Sequence, residues 1–92
     1  MYRYKKTLKI PYSKQGFIYY YAKLYFELPQ KRKEQLWEIC ALSGGDYCFA
    51  LFEYVTGNKS AEQICRKHFI SHATLLRAVK KFFDIAGQSI KL

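Results

Sequence analysis

Apolar and polar positions follow more than one rhythm along this chain. Between residues 2 and 10 the apolar positions recur every second residue, with Tyr2, Tyr4, Leu8 and Ile10 on one side and Arg3, Lys5, Thr7 and Lys9 on the other. A period of two sends alternate side chains to opposite faces, so the segment reads as a short strand or an extended arm. Pro11 and the run YSKQG behind it break the pattern. Residues 17–28 are then almost continuously apolar. Helical spacing gathers Phe17, Tyr21, Leu24, Tyr25 and Leu28 on one stripe, while three consecutive tyrosines suit a strand; helix is preferred and strand stays open.

From Pro29 onward the rhythm is helical. A proline suits the first turn of a helix, and Leu36, Trp37, Ile39, Cys40 and Leu42 supply an apolar face before Gly44 and Gly45 stop it. Asp46 is expected to cap a third helix over residues 47–56, burying Phe49, Leu51, Phe52 and Val55, with Gly57-Asn58 as its terminator. Ser60 precedes Gln63 by the three residues of a capping box, which predicts a fourth helix over residues 61–68. Ser71 caps a fifth helix, in which Leu75, Val79, Phe82 and Phe83 recur at i, i+4, i+7 and i+8 until about Gly87.

The two last helices meet at a very short turn, and residues 60–83, SAEQICRKHFISHATLLRAVKKFF, resemble the helix-turn-helix family. Ile64 occupies its first apolar position, Cys65 replaces its small Ala, and Ile70 is the apolar residue after the turn. Ser71 is the cap, Thr74-Leu75 the Thr-apolar pair, and Arg77 the common exposed arginine. The stretch ISHATLLRAVKKF looks especially like the recognition helices of phage and transposase regulators. Two residues depart from the family pattern. His68 stands where an apolar residue is commoner, and Phe69 stands at the turn glycine, where a left-handed backbone costs an L-residue about 1–2 kcal/mol.

The resemblance implies double-stranded DNA as partner, with the last helix in the major groove. The residues suit that expectation on their own terms, because a helix entering the groove needs one packed face and one face of hydrogen-bonding and cationic groups. With Leu75, Val79 and Phe82 inward, the candidate base contacts are Ser71, His72, Ala73, Leu76, Arg77 and Lys80. Arg77 has the chemistry to take guanine O6 and N7 together, and Ala73 to touch a thymine methyl. Candidate phosphate contacts are Lys59, Arg66, Lys67 and Lys81, with Arg3, Lys5 and Lys6 of the N-terminal arm. A solvated basic tail accounts for that arm equally well.

Charge strengthens this expectation. The net charge is +9 over 92 residues, and it is blocked: nine Lys or Arg against Glu27 in residues 1–33, four acids and no base in residues 34–58, then seven bases against Glu62 and Asp84. Such asymmetry favours a polyanionic partner. The three cysteines have no CxxC spacing, and zinc on Cys65, His68 and His72 with Cys40 or Cys48 is disfavoured for lack of ligand pairs, so no metal or other cofactor is expected. No nucleophile motif, phosphate loop or close carboxylate pair points to an enzyme or a small-molecule substrate. Neither a signal peptide nor an apolar stretch of membrane-spanning length is visible, which places the expected site of action in the cytoplasm of a bacterial or phage-infected cell.

One domain is therefore expected over residues 1–92: an all-α, small multi-helix fold with a basic N-terminal arm (1–15), aromatic-rich helices (16–45) and a three-helix helix-turn-helix unit (46–87). The implied function is that of a transcriptional regulator or accessory factor of a phage or mobile element. Nine tyrosines and seven phenylalanines exceed what one small core needs, so the aromatic-rich helices are a candidate homodimer surface. The competing expectation is a protein-interaction module that docks through its aromatic N-terminal half and reads no specific DNA site. A third is non-specific RNA or single-strand binding through the tyrosines.

Overall fold

A computed structural model describes residues 12–90, all five of its α-helices lying in one all-α domain. The period-two segment, with Arg3, Lys5 and Lys6, lies outside the described residues. The first helix, α1 (Tyr12–Lys23), begins inside the stretch assigned to the arm and settles the open choice for the aromatic run in favour of helix. Its core-facing residues are Gln15, Ile18 and Ala22, rather than the expected stripe from Phe17 to Leu28. Phe17 and Tyr21 pack at the margin of the core, and the helix gives way to a single 3-10 turn at Tyr25–Glu27, leaving Leu24 exposed. A run that is apolar at nearly every position fits several helical phases, and packing against the other helices selects one.

Pro29, with φ −59°, directly precedes α2 (Gln30–Gly44). The buried face of α2 is Leu36, Ile39, Cys40 and Ser43, so Leu42, expected inside, is exposed and a serine takes the inner position. Burial of Ser43 is tolerable because its hydroxyl donates to the Ile39 carbonyl at 2.7 Å. Gly45 stops the helix with φ +54°, a backbone that glycine adopts without steric penalty.

A second 3-10 turn, Gly45–Tyr47, leads into α3 (Cys48–Thr56). This corrects the expected Asp46 cap, since Asp46 sits exposed within the turn and no side chain caps α3. Ala50, Leu51 and Val55 are buried, whereas Phe49, expected in the core, points outward and Phe52 is half-buried. Two residues before Leu51 is about 160° away around a helix, so Phe49 and Leu51 cannot both face one core. At the far end, a Cβ on Gly57 would stand 2.7 Å from the Glu53 carbonyl oxygen, so the chain passes there only as glycine. Lys23 of α1 donates its ammonium to the carbonyls of Tyr54 and Gly57, placing a cation at the C-terminal end of α3 where the helix dipole favours one. Burial lowers the pKa of Lys23.

The last two helices are α4 (Ala61–His68) and α5 (His72–Ser89). Helix α5 runs beyond the expected end at Gly87, because Ala86 and Gly87 are themselves buried and Ile90 continues the inner face. It packs against all four other helices, most extensively against α2. Phe82, with no exposed surface, lies at the centre of the core and meets Phe83 edge to face at 5.7 Å.

Candidate nucleic-acid interface

Local chemistry sets the geometry of the α4–α5 pair. Ser60 and Gln63 form the expected reciprocal box: the Gln63 N–H donates to Ser60 Oγ at 3.2 Å, and the Ser60 N–H donates to Gln63 Oε1 at 2.9 Å. The α4 end closes on Phe69, the one non-glycine residue with positive φ among those described (φ 56°, ψ 45°). The N–H groups of Phe69 and Ile70 both turn back to the Cys65 carbonyl, the latter at 3.1 Å, so the left-handed residue satisfies a helix end that would otherwise be unpaired. Ser71 then caps α5 by accepting from the Thr74 N–H at 3.1 Å, and its hydroxyl also lies 2.9 Å from Thr74 Oγ1.

Behind that cap the expected division of α5 is present. Leu75, Ala78, Val79, Phe82 and Phe83 are buried; His72, Ala73, Leu76, Arg77, Lys80 and Lys81 are exposed. Ala73, Arg77 and Lys80 follow one another at helical spacing, with Lys81 towards one edge and Leu76 towards the other. From Ala73 to Lys80 the rise is about 10 Å, the length of roughly three base pairs. Ser71 is exposed too, but its hydroxyl already serves the backbone and Thr74.

The other cations are differently placed. Glu53 of α3 gathers two of them and an imidazole: Lys59 Nζ at 3.0 Å, Lys67 Nζ at 3.0 Å and His68 Nε2 at 3.1 Å. Hydrogen bonds from Lys59 first, then Lys67 and His68, hold the Glu53 carboxyl down at about 2, and the same bond raises Lys59. Arg66 pairs with Glu62 at 2.6 Å one turn away on α4. Lys59, Arg66 and Lys67, expected to meet phosphates, thus stand beside carboxylates that offset their charge. Among the described residues no ion pair engages Arg77, Lys80 or Lys81, and Asp84 bounds this basic face at its C-terminal side.

Glu53 is the organising residue that sequence reasoning missed. Its partners lie 6, 14 and 15 positions away, beyond any local spacing rule. Cys65 is buried, His68 half-buried and His72 exposed, and among the described residues no group of three or more His, Cys, Asp or Glu is placed to hold a metal ion. Burial, with Cys48 as a second cause, pushes the Cys40 thiol up to about 12, which makes it a core group rather than a nucleophile. No described helix is long and apolar enough to cross a membrane. Comparison with protein families, characterised proteins and solved structures finds no match.

Proposed function

We propose that this chain binds double-stranded DNA sequence-specifically, with the N-terminal half of α5 in the major groove. The observation that supports the reading best is one helix with two unlike faces: Leu75, Val79 and Phe82 buried, and His72, Ala73, Arg77 and Lys80 exposed along about three base pairs' length, their cations free of carboxylate partners among the described residues. Arg77 is the base reader with guanine-like preference, and Lys81 at the edge of the face serves a phosphate. Lys59, Arg66 and Lys67 are secondary phosphate contacts, since each shares its charge with Glu53 or Glu62. The likeness of ISHATLLRAVKKF to phage and transposase regulators makes a transcriptional regulator or accessory factor of a mobile element the biological role of choice.

The test is selection of duplexes from a randomised pool, followed by fluorescence anisotropy at several salt concentrations. A site-specific reader enriches one sequence. Arg77→Ala then costs about 1–3 kcal/mol and relaxes choice at one base, while Lys81→Ala weakens all duplexes alike and reduces the salt slope by about one. Absence of duplex binding at low salt overturns the proposal, and equal affinity for single and double strands replaces it with strand-indifferent binding.

A further inference from the structure

Five aromatic rings form a continuous run on the side of the molecule built by α2, α3 and the first 3-10 turn. Phe26 meets Tyr25 at 5.2 Å, Tyr25 meets Phe52 at 4.8 Å, Phe52 meets Trp37 at 5.1 Å, and Trp37 meets Phe49 at 5.4 Å, between ring centroids. The middle three are half-buried, but the two ends are not: Phe26 is 76% exposed and Phe49 67%. Aromatic side chains of roughly 200 Å² each leave roughly 400 Å² of apolar surface in this strip. A standard protein interface covers roughly 800 Å² per partner and is a little over half apolar, which requires roughly 450 Å². The strip alone comes close to meeting that requirement.

Charge selects the occupant. The protein carries +9, so two copies repel over most of their surfaces. The strip lies where that repulsion is weakest, because α2 from Glu34 onward carries Glu34 and Glu38 and no base, and Glu53, the one acid of α3, offsets Lys59 and Lys67 beside it. Its neighbours in the chain are of both signs: Glu27 follows Phe26, Glu34 lies one turn before Trp37, and Lys33 sits 5.8 Å above the Tyr25 ring. These carboxylates disfavour a phosphate backbone. A self-complementary two-fold contact needs only one such patch and sets acids of one copy against Lys33 of the other. We infer that the chain forms a symmetric homodimer through the strip Phe26–Tyr25–Phe52–Trp37–Phe49, independently of whether it binds DNA.

Trp37, the one tryptophan of the chain, reports on the contact directly. Sedimentation of the full chain from low micromolar to ~200 µM is expected to show the mass doubling from 10.9 kDa, with Trp37 emission shifting to the blue over the same range. Raising salt from ~0.15 to ~0.5 M weakens DNA binding steeply, whereas an apolar ring contact persists, so the two readings fail separately. Phe49→Glu and Phe26→Glu each lower self-association at least tenfold. Because both rings are on the surface, circular dichroism confirms the fold of each variant. Leu42→Glu, exposed on α2 outside the ring run, leaves association unchanged. A monomer at ~200 µM in both salts overturns the inference, as does a folded Phe49→Glu that associates like the parent protein.

Discussion

Phe69 offers a direct test of the balance between backbone strain and side-chain packing. Its φ of 56° costs an L-residue about 1–2 kcal/mol, and glycine removes that cost. Against this gain stands the greater freedom of glycine in the unfolded chain, about 0.5–1 kcal/mol. The side chain contributes little to the folded state: it is 94% exposed, and the remaining few per cent of a phenylalanine's area is worth about 0.3 kcal/mol. Phe69→Gly is therefore expected to stabilise the protein by about 0.5 kcal/mol, raising Tm by about 2–4 °C in a domain of this size. Urea denaturation checks it, with an unchanged m-value showing that neither end state has been altered in compactness. Phe69→Asn should fall between the two, since asparagine tolerates the left-handed region better than phenylalanine, and Phe69→Val should destabilise. A loss of more than about 1 kcal/mol in Phe69→Gly would refute the reasoning, because it would mean that the ring makes contacts its exposure denies.

Three further predictions concern the forces around the candidate interface. Glu53→Gln removes a carboxylate held at about 2, so it should destabilise at neutral pH by roughly 1–2 kcal/mol after solvent screening. The sign follows from the lowered pKa: the stabilisation is present above the unfolded value of about 4.3 and is lost as pH falls towards 2, so the parent and Glu53→Gln should converge in stability on acidification. Parallel curves between neutral and acidic pH would rule out Glu53 as the titrating group. Ser60→Ala removes one half of the capping box and should cost about 1 kcal/mol in chemical denaturation, while Ser60→Asp retains most of it; equal stability of the alanine variant and the parent would contradict the cap. Phe82→Ala opens a cavity at the centre of the core and should cost about 3–5 kcal/mol, enough to unfold a marginal domain; a loss below about 1 kcal/mol would show that α5 does not carry the core.

Features settled within one turn of chain were legible in the sequence. Ser60 with Gln63, Ser71 with Thr74, and the glycine stop at Gly45 each join groups at most a few residues apart, so spacing alone implies them. The inner face of α5 was legible because its apolar residues are separated by charged ones, which leaves one helical phase possible. The aromatic run of α1 carries no such contrast. Gln15, Ile18 and Ala22 became its inner face only through packing, and the exposure of Phe49 and Leu42 with burial of Ser43 has the same origin.

The sequence by itself determined the four helices from α2 to α5, the caps at Ser60 and Ser71, the blocked charge, and the exposure of His72, Ala73, Leu76, Arg77, Lys80 and Lys81 on α5. Tertiary structure alone decided which cations remain unpaired on that side. Glu53 reaches Lys59, Lys67 and His68 because α3 packs beside α4, and Coulomb attraction depends on distance in space rather than position in the chain. The ring run from Phe26 to Phe49 likewise exists only where α2, α3 and a 3-10 turn converge. Large apolar area was evident from composition, but which part of it stays outside depends on how much surface the other helices cover.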